Sequence, residues 1–231
     1  MQDQTLPGYT PVSELSTEAR SNFISKTYAH VAAAILLFTV IEVYLFNSGL
    51  VVPLSEWILS FNWLIIIGAL MLVGWLATHV AHQLDSKPLQ YLALAGFVVA
   101  QAVIFAPLLL MASVMQPGII ENAVWITLLG TGGLTAVAFI TRKDFSFMRG
   151  ILMWAGILAL VAIAGAVLFG FELGTWFSVA MIGFAGAAVL YDTSNIIHHY
   201  PEDRYVGAAL QLFASIVLMF WYVLRLLMSR D

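Results

Sequence analysis

Seven apolar runs, each long enough to cross a bilayer as a helix, follow one another at 27–46, 62–80, 89–112, 122–140, 151–171, 176–197 and 205–227. A helix needs about 20 residues to cross about 30 Å of hydrocarbon. Lipid gives the backbone no hydrogen-bond partners, so a spanning segment must be a helix or part of a closed barrel. A barrel needs short segments of alternating polarity, and stretches such as 154–169 are apolar without alternation. The chain is therefore expected to be an all-α polytopic membrane protein. Its division is a polar cytoplasmic tail at 1–26 and a seven-helix transmembrane domain at 27–231. The first run follows a 26-residue polar segment and is too long for a signal-peptide core. Composition agrees, with 61% hydrophobic and 10% charged residues, against about 45–50% and about 25% in soluble domains. Those figures exclude an ordinary soluble enzyme and a disordered chain. With nine Lys and Arg and no Cys, there is no basic surface for nucleic acid, no disulfide and no thiolate metal centre.

Loop charges orient the bundle. With seven spans, a cytoplasmic N-terminus puts Arg20, Lys26, Lys87, Arg142, Lys143, Arg149 and Arg204 on the inside, and only Arg225 and Arg230 toward the outside. The three outer connections carry Glu56, Glu121 and Glu172 and no Lys or Arg. The positive-inside rule gives a cytoplasmic N-terminus and an outer C-terminus in the inner (cytoplasmic) membrane. The short connection 172–175 leaves one alternative, a re-entrant pair of spans 5 and 6, which returns the C-terminus to the cytoplasm. Tyr28, Trp57, Trp63, Tyr91, Trp125, Trp176, Tyr200 and Tyr205 fall near span edges and read as interfacial anchors.

Small residues mark where helices approach closely in lipid. Span 6 carries Ala180, Gly183, Ala185, Gly186, Ala187 and Ala188; span 5 carries Gly156, Ala159, Ala162, Gly165 and Ala166. Both are expected to be tightly packed. Pro107 should kink span 3. Gly130-Thr131-Gly132-Gly133 in span 4 reads as close packing or as a break of the kind that lines transporter cavities. Ser16 is expected to open a short amphipathic helix through Phe23, Ile24 and Tyr28 that touches the membrane surface.

Three charged residues lie inside the spans: Glu42, Asp192 and Arg225. Asp192, in VLYDTSNII, sits five residues from the end of span 6, roughly 8 Å deep at 1.5 Å per residue. A carboxylate there must pair, meet water or take a proton, which makes it a candidate proton sensor. Thr193 and Asn195 extend its polar patch. Glu42 and Arg225 both lie near the outer ends of their spans and are a candidate salt bridge if spans 1 and 7 are neighbours. Gln211 and Ser215 are four apart and share a face of span 7. His198 and His199, beside Glu202 and Asp203, are candidates to perturb the adjoining loop on protonation. His79 and His82 lie three apart near Asp85, but the HExxH pattern of zinc sites is missing. No catalytic arrangement emerges, so no enzyme activity is expected. A transporter reading has only the glycine run and the buried carboxylate behind it.

The string VLYDTSNIIHHYPEDRYVGAALQLFASIVLMFWYVLRLL, residues 189–227, together with FISKTYAHV at 23–31, resembles the Bax inhibitor-1 family in its bacterial branch. The carrying positions are Asp192, Thr193, Ile196, Tyr200 or Tyr205, Ala208, Ala209, Leu210, Leu212, Phe213, Phe220, Leu224 and Arg225. The resemblance implies a bundle with span 7 running centrally. It also implies a pH-sensitive calcium leak controlled by two aspartates, on spans 6 and 7, that share a proton. Eukaryotic members restrain cell death, and bacterial ones include partners of a membrane protease. Asp192 takes the span 6 role, and Ser215 stands where the second aspartate is expected.

The expectation is thus a pH-modulated calcium (cation) leak channel gated around Asp192 and Ser215, with Arg225 and Glu42 as further gating residues. Thr193, Asn195, His198, Tyr200 and Gln211 support the site. The alternative is a non-conducting regulator that binds another membrane protein such as a protease. No cofactor is expected, calcium being cargo. The bilayer is the expected partner, with a second membrane protein as a further candidate, no nucleic acid, and a monomer as the favoured state.

Overall fold

The computed structural model describes residues 10–83 and 86–229, with the side chains of His82 and Gln83 outside the description. Asp85, Arg230 and the first nine residues also lie outside the described residues, so the grouping of His79 and His82 with Asp85 is not visible. Among the described residues the chain forms α1 (Thr17–Asn47), α2 (Val51–Leu59), α3 (Trp63–Gln83), α4 (Lys87–Met115), α5 (Ile119–Thr141), α6 (Met148–Phe169), α7 (Gly174–His198) and α8 (Tyr205–Met228). Short 3₁₀ turns occupy Val12–Glu14 and Glu202–Arg204. Seven of these helices are long and apolar enough to cross a membrane; α2 is not among them. The all-α polytopic architecture holds. α6 and α7 are each long and apolar enough to span by length and composition.

The first span begins earlier than its apolar run. The Ser16 hydroxyl accepts from the Ala19 amide at 3.2 Å, an N-cap that starts α1 at Thr17. The helix passes position 26 without interruption, so the expected separate amphipathic helix is the first turns of α1. Phe23 is 1% exposed and packs inside the bundle. The chain before it is tied down as well. Val12 is fully buried, its amide donates to the Tyr200 carbonyl at 2.9 Å, and Pro11 pairs with Pro201. The Ser13 hydroxyl donates to the His198 carbonyl at 2.9 Å. Residues 11–16 therefore strap the turn between α7 and α8.

Helix α8 packs against α1, α3, α4, α5 and α7. In its apolar stretch 72% of residues are buried, whereas Ala159 is the one buried residue of α6. A helix apolar on all sides suits either burial or lipid, and what separates the two here is residue size. Gly207, Ala208 and Ala209 let neighbours approach the first turns of α8, while Phe213 and Phe220 fill the space further along. Phe105 of α4 lies at the centre of the aromatic cluster. Its ring centroid is 5.2 Å from Phe38 of α1, 5.6 Å from Phe220 and 4.8 Å from Trp221. Offset and edge contacts of this kind suit the ring quadrupoles.

The expectation for span 5 is corrected. Within α6 only Ala159 is buried, and Trp154, Leu158 and Val161 point outward. Its small residues alternate with large ones turned to lipid, and it packs chiefly on α7. The glycine run of span 4 does not break α5, which continues from Ile119 to Thr141. The Thr131 hydroxyl donates back to the Thr127 carbonyl at 2.8 Å. Pro107 lies within an unbroken α4.

Span 6 is close-packed at one glycine and open at the other. A Cβ on Gly186 would lie 3.1 Å from Leu134 and 3.3 Å from Met219, whereas one on Gly183 would meet nothing within 4 Å. Gly186→Val is therefore expected to destabilise the bundle by about 1–3 kcal/mol through overpacking. Gly183→Val should cost clearly less. Thermal unfolding of the purified variants in one detergent compares them, and equal losses at both positions would remove the close-approach argument.

Candidate functional site

The last turns of α7 place four polar residues in succession, Asp192, Thr193, Ser194 and Asn195. The first three are buried, with Asp192 only 3% exposed. Six residues separate Asp192 from the helix end at His198, about 9 Å of rise. Opposite it, the Ser215 side chain of α8 is 6% exposed, and its hydroxyl donates to Asp192 Oδ2 at 2.5 Å. This contact joins the pair of helices that pack most extensively against each other. A hydrogen bond to a carboxyl group offsets part of the cost of burying it.

The surroundings are sparse in partners. Thr193 Oγ1 and the Tyr28 hydroxyl are buried without hydrogen bonds, although Tyr28 lies near Thr193, Thr135 and Asp192. Gln211 is half-buried on the Ser215 face of α8. Asn195 contributes its carbonyl, which accepts from the amides of His199 and Tyr200 and closes α7. His198 Nδ1 lies 3.0 Å from the Ser194 carbonyl, and the Tyr200 ring stacks on Phe23 at 6.3 Å.

Glu42 and Arg225 do not join this site, and they do not pair with each other. Both Glu42 carboxylate oxygens are buried without a partner. Arg225 lines a different cavity, of about 1020 Å³, beside Trp63, Glu172, Thr175, Trp221 and Tyr222. Spans 1 and 7 are neighbours as that salt bridge required. The pairing fails because α8 presents Arg225 toward α6 and α7, while Glu42 meets α8 on the face carrying Phe213 and Phe220.

At the bundle end where α7 stops, the loop 142–147 is tied to α7. The Phe145 amide donates to Ser194 Oγ at 2.9 Å, and His199 Nε2 lies 3.0 Å from Asp144 Oδ2. The His199 contact, helped by the Ser146 amide, holds the Asp144 carboxyl below the usual carboxylate range. Since the folded value lies below the unfolded one, any stability from this contact is complete above the ordinary range and lost as pH falls through the lowered value. Being exposed, the pair contributes little. Nearby, the Lys87 ammonium donates to the Asp203 carbonyl and sits 4.4 Å from the centre of the Tyr205 ring, with Lys26 at 5.5 Å. Among the described residues no three His, Asp or Glu side chains gather to hold a metal ion.

Sequence reasoning passed over Ser194, whose hydroxyl fastens the α5–α6 loop, although it stands inside the same polar run as Thr193 and Asn195. It also passed over the contact of Val12 and Ser13 with the α7–α8 turn, for which the sequence carries no signal. Tyr200, expected to support the site, stacks on Phe23 and accepts from the Val12 amide through its carbonyl.

A family model described as inhibitor of apoptosis-promoting Bax1 matches residues 20–231. A BI1-like protein of Arabidopsis thaliana is 30% identical over 96% of this chain and 86% of its own length. Bax inhibitor 1 of Schizosaccharomyces pombe is 26% identical over 94% and 80%. An uncharacterised protein of Campylobacter jejuni is 29% identical over 95% and 91%.

Proposed function

This chain belongs to the Bax inhibitor-1 family, and on that premise we propose that it is a pH-modulated calcium leak channel gated where α7 meets α8. The observation that carries the reading is the Asp192–Ser215 contact, a buried carboxyl group bridging the helices at 2.5 Å. Moving cations past that point requires the two helices to part. Whether the carboxyl group holds a proton alters the strength of the bridge, since a hydrogen bond to an ionised acceptor is stronger than a neutral one. Ser215 supplies a donor but no second charge. The gate therefore has one proton-binding group, and its pH response is that of a single site, without the second step of a coupled pair. Arg225 and Glu42, each facing its own cavity, are not part of this gate.

We orient the bundle with the α7–α8 turn and the N-terminus in the cytoplasm of a cell whose inner membrane holds it. The support is the loop-charge asymmetry. No catalytic role and no resident cofactor are assigned. Purified protein in liposomes is expected to pass calcium above the rate of empty liposomes, with one pH-dependent transition between pH 5 and 8. Flux equal to that of empty liposomes throughout that range would overturn the reading. It would leave the second one, a non-conducting regulator, which Ser215, in place of a second carboxylate, favours. In that case crosslinking in membranes should capture one dominant partner.

A further inference from the structure

Two arginines from different elements open into one cleft. Arg20 on α1 and Arg142 at the end of α5 line a cavity of about 580 Å³, with Thr17, Ser21 and Ser25 beside them. These three hydroxyl residues stand four apart on α1 and so share one face of the helix. Arg142 is exposed and Arg20 half-buried, so both side chains keep surface open to solvent. A guanidinium stays charged at any physiological pH. Among the described residues neither arginine makes an ion pair or a hydrogen bond through its side chain. No Asp or Glu lines the cleft. Of the acids nearest in sequence, Asp144 holds His199, and Glu18 lines an adjoining groove along α1.

The backbone at Arg142 is a second, independent sign. It closes α5 in the left-handed region, at φ 50°, and is the one non-glycine residue there among the described residues. Glycine suits such a helix end best, yet the chain holds an arginine. Two like charges in one cleft repel each other, and an anion between them relieves the repulsion. Guanidinium forks match the oxygens of a phosphate group, and a phosphate monoester carries a charge of about −1.5 to −2 at neutral pH, which balances two arginines. The hydroxyls of Thr17, Ser21 and Ser25 make no hydrogen bond among the described residues and can donate to the phosphate oxygens. Ser13 also lines the cleft, but its hydroxyl already donates to the His198 carbonyl. Leu15, Ile24 and Phe139 form an apolar wall that takes the organic part of an ester. We infer that the cleft among α1, the α5–α6 loop and the end of α7 is a binding site for a phosphate monoester, held by Arg20 and Arg142. This site is separate from the α7–α8 contact and does not depend on calcium conduction.

The test is calorimetric titration of the purified full chain in a neutral detergent near neutral pH. The probes are glycerol 3-phosphate, which is water-soluble, and phosphatidate in mixed micelles; glycerol and phosphatidylcholine are their controls. Both phosphate monoesters are expected to bind saturably, and neither control is. Tighter binding of phosphatidate makes a membrane lipid the source of the phosphate, and equal affinities make it a soluble ester. Arg20→Gln and Arg142→Gln should each weaken binding by at least about ten-fold. Lys143→Gln removes the same charge from a neighbour outside the lining and should bind as the unaltered chain does. Arg142→Gly separates binding from folding, because glycine suits the left-handed backbone: Tm should hold or rise while the affinity falls as in Arg142→Gln. No saturable binding of either ester, unchanged affinity in the Arg20 and Arg142 variants, or an equal loss in Lys143→Gln would each overturn the inference.

Discussion

Replacing Ser215 with alanine is expected to destabilise the folded bundle by about 1–3 kcal/mol, because it leaves the buried Asp192 carboxyl group without its hydroxyl donor. The change removes a single oxygen, and the site is too enclosed for water to replace the lost contact freely: Asp192 is 3% and Ser215 6% exposed. Asp192→Leu alone should also cost stability, by leaving the Ser215 hydroxyl unserved. The double variant Asp192→Leu/Ser215→Ala should be less damaged than the two single losses added, by at least about 1 kcal/mol. Removing both members of a buried polar pair is cheaper than orphaning one. Unfolding in mixed micelles measures all three. Additive losses would mean that the two side chains do not act on each other.

Phe105→Ala is expected to cost more, about 3–5 kcal/mol. The ring is 2% exposed and touches Phe38, Phe220 and Trp221, so it joins α1, α4 and α8 at one point. Lipid surrounds the bundle with material as apolar as its core, so helix association draws little on the hydrophobic effect. What the ring contributes is dispersion and fit, which a void forfeits. Trp154 on α6 is the control. It is 65% exposed, and Trp154→Ala should change stability by no more than about 0.5 kcal/mol. Unfolding of both variants in the same detergent gives the comparison, and similar losses would place the core somewhere other than around Phe105.

The spans were legible because lipid imposes a length and a polarity on any helix that crosses it, and no tertiary context overrides that demand. Helix ends were less legible. α1 starts ten residues ahead of its apolar run (Thr17 against position 27) because the Ser16 cap and the buried Phe23 belong to the bundle, a fact hydropathy does not record. The connection between the first two apolar runs holds α2 (Val51–Leu59), whose Val51, Ser55 and Ile58 are buried and which hydropathy does not single out. The partnership of Asp192 with Ser215 followed from matching Ser215 to the family's second aspartate. The Glu42–Arg225 pair failed because adjacency of two helices says nothing about which way each is turned. The same ignorance of rotation misplaced α6, where glycine and alanine spacing suggested a buried face and the large residues between them decided otherwise.

The central claim is that the proton on Asp192 sets the coupling of α7 to α8 and thereby the leak. Calcium flux into liposomes, measured from pH 5 to 8 for the unaltered chain and for Asp192→Asn, tests it most directly. Asparagine keeps the shape and hydrogen-bonding capacity of the site but cannot ionise. The account predicts one pH-dependent transition in the unaltered chain and a flat profile in the variant. A variant that passes calcium with the same pH dependence as the unaltered chain would contradict it.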